Sequence, residues 1–329
     1  MHVPDGFLDT PTSIGTALVA AAALAFALKR ARSEHPGTRL APAAGGVATF
    51  VFAAHLVNYP IGGGTSGHLL GAALAAVLVG PGTAIVCISI VLAVQMLLFA
   101  DGGATALGTN VLLMAVIGVL VSWGAFLFVR RALPRGIPSI VVAAAIAGLL
   151  SVPTVALALA GLYAFAGNTP VDGGMLFAAM LGPHVLIGVG EAVITTAAVA
   201  AVIALRPDLV YGARSIPLEP AVATRRSSAF ALQAGTVGVT VLLVGGIAHI
   251  ASGHPDALER VAGDLGLVDT GLAVVASPFA GYLVTQLGDS WLSSTVAGFV
   301  GCAAVLAIAA LTRLTADATS SRRAAPLRL

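Results

Sequence analysis

The dipeptide Met1-His2 can chelate a metal ion before any fold is considered. A terminal amine, the next amide nitrogen and an imidazole Nδ1 close two fused rings on one ion. Histidine is bulky, so Met1 is expected to survive N-terminal trimming. No basic stretch or cleavage site of a secretory leader follows it. His68, in the run GGGTSGHLLG, offers a further imidazole. Four nitrogens in a tetragonal set suit Ni(II) or Cu(II), and also Co(II). Asp5, Asn58, Thr65, Ser66 and Asp101 are expected to hold the N-terminal segment and the His68 loop in register, as outer partners of metal ligands do. His55, three residues before Asn58, and Asn110, in the glycine-rich loop FADGGATALGTN, are further candidates of this kind. His184, Gly188 and Glu191 follow an i, i+4, i+7 spacing that returns to one helix face within about 20°. Ionisable groups at membrane depth are costly and mark either function or a satisfied network. Glu191 is therefore expected to pair with His184, to bond polar groups on a neighbouring helix, or to help couple metal release to a conformational change.

The elements that must position these residues are membrane helices. The chain has 329 residues, 58% hydrophobic and 9% charged, with mean hydropathy +1.01. A soluble domain carries about 25% charged residues, so this is a polytopic membrane protein in a lipid bilayer. Apolar stretches approaching the roughly 20 residues of a span fall at 12–28, 42–57, 68–80, 83–99, 108–129, 137–166, 175–205, 228–248 and 292–312. The third is short, and Pro153 is expected to kink or break the sixth. The expected architecture is an all-α bundle of about seven spans, residues 1–206. A cytoplasmic linker, 207–227, and a two-span unit, 228–329, follow.

Orientation comes from the cations. Lys29, Arg30, Arg32 and Arg39 follow the first span; Arg130, Arg131 and Arg135 follow the fifth. Arg206, Arg214, Arg225 and Arg226 fall in the linker, and Arg313, Arg322, Arg323 and Arg328 follow the last span. With the N-terminus outside, only Arg260 of the 16 Lys and Arg residues is left on the outer side. Acidic residues, Asp5, Asp101, Asp256 and Glu259 among them, then face outward, where they would concentrate cations. Cys87 and Cys302 lie within apolar runs and are expected to be packing residues.

Several activities are excluded. The single lysine, Lys29, forbids a GxxxxGK[ST] phosphate loop, so ATP energy would have to come from a partner. No HExxH motif and no nucleophile elbow with a plausible triad occur, and no basic tract with interleaved aromatics suggests nucleic acid. The chain binds or passes something. Self-sufficient proton-coupled transport with Glu191 and His184 as relay is one alternative, and a structural subunit that binds no ion is another.

MHVPDGFLD at the start, GGGTSGHLLGA around His68, ADGGATALGTNVLLMAVIG after the fourth span and HVLIGVGEAVIT in the seventh together resemble the CbiM/NikM family. These are substrate-binding membrane components of energy-coupling-factor transporters for cobalt and nickel. The stretch GHPDALERVAGDLG resembles the PDGLE core of the accessory two-span component fused in some of these systems, with Ala257 in place of the glycine. The resemblance implies that the N-terminal segment tucks into the bundle from outside. Met1 amine, His2 amide and imidazole, and His68 imidazole would then hold Ni(II) or Co(II), the latter destined for cobalamin synthesis. It also implies a membrane coupling component and a cytoplasmic ATPase pair as partners in the prokaryotic cell membrane.

Overall fold

The protein, as a computed structural model, is described over residues 1–34, 41–214, 229–267 and 275–324. His35, Arg39, Arg225, Arg226, Arg328 and positions 215–227 of the expected linker lie outside the described residues. Six helices are long and apolar enough to cross a membrane. They are α1 (Thr10–Glu34), α4 (Pro81–Phe99), α5 (Leu107–Ala132), α6 (Ile137–Ala166), α7 (Gly173–Leu205) and α10 (Trp291–Ala324). Two shorter apolar helices, α2 (Ala41–His55) and α8 (Ala229–Gly245), accompany them. A short α3 (Ala72–Val79) and α9 (Ala257–Asp264) complete the set, with one hairpin, β1 (Tyr59–Gly62) antiparallel to β2 (Thr65–Gly67).

The passage expected at 68–80 is not a full span. The eight residues of α3 rise about 12 Å, against about 30 Å of hydrocarbon. The rest is the hairpin and the non-helical stretch 68–71. The chain must still return between α2 and α4, so His68 is carried down into the bundle rather than left at its rim. Every side chain of α3 is buried, as befits a helix apolar all round. Gly71 opens it at φ 77, and a Cβ there would lie 2.8 Å from Val51. Only glycine fits this turn.

Pro153 does not break α6, which runs unbroken through it. Its missing N–H frees the Leu149 carbonyl, and Gly188 of α7 packs against that oxygen: a Cβ on Gly188 would sit 2.7 Å from it. The free acceptor is covered by a close helix crossing of the kind small residues permit.

At the end away from the site, Glu34 closes α1 onto α4. Its buried carboxylate accepts from the amides of Gly82 and Thr83, both at 2.9 Å, and from Thr83 Oγ1 at 3.0 Å. This caps the N-terminus of α4, where orphan amides favour negative charge. Residues 207–214 continue from α7 as two short 3-10 turns, and Val210 and Ala213 are buried in the core.

Candidate metal site beneath the N-terminus

Residues 1–9 form a strap threaded between the outer ends of the helices. Asn110 holds Val3 at both backbone groups, accepting from its N–H (2.8 Å) and donating to its carbonyl (3.1 Å). Gly103 N–H donates to Val3 O at 2.9 Å, while Asp5 accepts from the N–H and Oγ1 of Thr105 at 2.7 and 2.6 Å. A Cβ on Gly103 would collide with Asp5 N, so strap and loop touch backbone to backbone. Further along, Phe7 packs on Tyr163 with centroids 4.5 Å apart, and Asp9 N–H donates to Ala166 O. Asn110 leads directly into a π-helical stretch of α5, Val111–Ile117, a deformation that recurs at functional sites.

This threading buries the tip. Met1 is 7% exposed, and its nitrogen lies 3.4 Å from His68 Nε2 and 2.5 Å from Asp256 Oδ2. His68 Nδ1–H donates to Leu69 O at 2.9 Å, which leaves the Nε2 lone pair facing the Met1 nitrogen. The His2 ring stacks on His68 at 5.4 Å, and His55 completes a trio, 4.9 Å from His68 and 5.9 Å from His2. His55 is itself held by Gln95 and by the Leu70 carbonyl.

His2 differs from the chelate expected of it. Its Nδ1 faces Asp101 Oδ1 at 3.0 Å, and its buried Nε2 has no partner among the described residues. Chelation through Nδ1 requires the ring to turn over, which would bring Nε2–H to Asp101. Burial alone would raise the Asp101 carboxyl. The charge and hydrogen bond of His2, with the Tyr282 hydroxyl, instead hold it well below the usual carboxylate range. Asp256 likewise resists burial, held low chiefly by the Met1 ammonium.

Other expected residues separate into distinct roles. Glu191 and His184 are both fully buried on α7 but serve different partners. The Glu191 carboxylate accepts from the amides of Leu70 (2.6 Å) and Gly71 (2.9 Å), fixing the chain just after His68. His184 Nδ1–H donates to Met180 O at 2.6 Å. Its Nε2 has no partner among the described residues, and the ring lines a cavity of about 10 Å³ with Met1, His68 and Asp256. Ser66 holds the segment before α9 rather than the strap: its Oγ donates to His254 O at 2.7 Å and its N–H to Pro255 O at 2.9 Å. Thr65 pairs with Gly62 within the hairpin. The Asn58 side-chain oxygen is buried without a hydrogen-bond partner among the described residues. The hairpin and the residue before it are tied to the segment 252–255, through Ser66 and through Ser252 N–H, which donates to Asn58 O at 2.7 Å.

Sequence reasoning placed Asp256 only among the outward-facing acids and did not single out Tyr282. Asp256 carries a readable signal, since Asp-x-x-Glu before α9 is a capping box, formed here with Glu259. Its reach to Met1, 255 residues away, is not local information. Among the described residues no three His, Cys, Asp or Glu side chains converge on one ion; the convergent set mixes backbone and side-chain nitrogens.

Six long apolar helices make this a multi-pass membrane protein. Residues 2–209 match the family described as CbiM, cobalt uptake substrate-specific transmembrane region, and the chain belongs to that family. It is 35% identical over 315 residues to a protein of Archaeoglobus fulgidus named as a putative fused nickel transport protein, NikMN, covering 95% of this chain and 98% of that one. It is 34% identical over 173 residues to the cobalt transport protein CbiM of Acetohalobium arabaticum, 51% of this chain and 67% of that. The crystal structure of a truncated transition metal transporter superposes with TM-score 0.54 at 32% identity, over 61% of this chain and 98% of the other.

Proposed function

We propose that this chain captures Ni(II) or Co(II) at the outer face and passes it to an ATP-driven importer of the energy-coupling-factor type. The observation that carries the reading is the buried Met1 nitrogen, 3.4 Å from a His68 Nε2 whose lone pair faces it. Two nitrogens each about 2.0–2.1 Å from one ion can stand at that separation. The Met1 amine, the His2 amide and imidazole, and the His68 imidazole form the donor set, with the substrate ion as cargo. Residues 1–206 act as the capture body and 228–329 as an accessory unit, with 207–227 between them. A membrane coupling component and a pair of cytoplasmic ATPases supply the force. Against the proton-relay alternative stands Glu191, whose two oxygens are already occupied by backbone amides.

Two residues added before Met1 test this directly. The extended chain, like His2→Ala and His68→Ala, should still insert and fold but lose stoichiometric nickel or cobalt, measured by elemental analysis after purification. Unchanged metal content in the extended chain would overturn the reading. Binding should also release protons from the amine, the imidazoles and the amide, visible as buffer-dependent heats in calorimetry.

A further inference from the structure

The segment between α9 and α10 brings one tyrosine to the strap. α4 ends at Phe99, where Ala100 turns left-handed at φ 55. The last carbonyls of a helix lack intrahelical partners, and residues 277–279 supply two of them. Ser277 Oγ donates to Met96 O at 3.2 Å, and Phe279 N–H to Leu98 O at 2.9 Å. Gly281 and Tyr282 follow at φ 65 and 61. Residues with a side chain rarely adopt that conformation, and it persists only where the surroundings over-determine it. Here it lays the Tyr282 ring on Phe99, with centroids 4.5 Å and planes 16° apart, and brings the hydroxyl to Asp101. We propose that Tyr282 is a positioning residue of the metal site, which acts through Asp101 to hold the His2 ring in register for chelation. The proposal rests on the capture reading above and adds to it a residue outside the donor set.

The hydrogen bonds have one direction and one end point. Tyr282 Oη accepts from Gln95 Nε2–H at 3.1 Å and donates to Asp101 Oδ2 at 2.5 Å. Burial and the facing carboxylate push the phenol further up, so it keeps its proton and remains the donor. With Oδ2 taken, the plane of the carboxylate is fixed and Oδ1 is left to His2, whose Nδ1 lies 3.0 Å away. Packing alone supplies less of this constraint, because the Asp101 side chain is 27% exposed against 6% for His2. Gln95, fully buried, also bonds His55, which reaches the Leu70 carbonyl just beyond His68. The chain of bonds therefore runs from the His68 loop to the His2 ring, with the phenol in the middle. When the ring turns over for chelation, the same Oδ1 meets Nε2–H. A carboxylate behind a metal-bound imidazole fixes both its tautomer and its orientation. Asp101 can do this only while its own plane is held.

The test is a double-mutant cycle on the full chain in detergent, with NiCl₂ affinity read by competition against a chromophoric chelator. Tyr282→Phe keeps the ring stack and removes only the hydroxyl. It should weaken nickel binding about tenfold, the lower end of what an outer partner costs. Asp101→Ala leaves the four donor nitrogens in place and should itself weaken binding about 10- to 100-fold. In that background Tyr282→Phe should cost nothing further, since the residue it acts through is gone. Hydrogen exchange across 277–287 should stay at the wild-type level in Tyr282→Phe without metal, because the backbone bond to α4 and the ring stack remain. Equal losses in the two backgrounds overturn the proposal, as the tyrosine would then act by packing. Unchanged affinity in Tyr282→Phe overturns it too, and so does faster exchange across 277–287. A wild-type chain that binds neither nickel nor cobalt overturns the capture reading itself.

Discussion

Single polar side chains set the geometry of this site, and their removal should separate affinity from stability. Asn110 holds the strap at both backbone groups of Val3. Asn110→Leu should weaken metal binding by about 10- to 100-fold, the usual cost of losing an outer partner, while the protein melts close to the wild-type temperature. Glu191 acts differently, because it satisfies two buried amides. Glu191→Ala leaves both unpaired at about 1–3 kcal/mol each. It should lower the thermal midpoint in detergent as well as metal affinity; Glu191→Gln, which keeps an acceptor, should lose less of both.

Between elements, the decisive contacts are backbone on backbone. Gly108 of α5 lies against Ala17 of α1, where an added Cβ would collide with Ala17 Cα, and Thr16 and Thr109 bond at 2.8 Å beside it. Gly103 plays the same part under the strap. Gly103→Ala should expel residues 1–9 and abolish metal binding, with hydrogen exchange at the Val3 amide rising toward that of an open chain. Gly124, with nothing within 4 Å of an added Cβ, is the control. Ala there should stabilise by about 0.5–1 kcal/mol, the helix penalty of glycine.

For the whole molecule, residues far apart in the chain meet at the site rather than beside it. Ser66 bonds His254 O and Pro255 O, and Asp256 bonds the Met1 nitrogen. Loosening the segment 254–256 should therefore be felt at the N-terminus. Asp256→Asn keeps an acceptor for the cap of α9 but discharges the pair with Met1. Exchange mass spectrometry should then show faster exchange across residues 1–9 while α6 and α7 stay protected.

What the sequence determined by itself was the place of the six long apolar helices, among nine expected passages, and the residue types that could bind metal. Transfer to lipid is a property summed over a local window, so α6 was legible to both ends and α4, α5 and α7 to within three residues, while α1 runs six residues past its expected end through the polar stretch to Glu34. The half-length α3 misled for the same reason: hydropathy reports burial, and a helix enclosed by protein reads like one enclosed by lipid. Met1, His2 and His68 could be singled out as candidate donors because their chemistry is intrinsic to residue type. Only the tertiary structure decided that Asp256 faces Met1, that Glu191 serves the amides after His68, and that Asp101 turns the His2 ring. Those pairings join residues from about 100 to 255 positions apart. No local signal encodes them; they follow from how close-packed helices and a buried strap bring distant polar groups to one place, where each must find a partner.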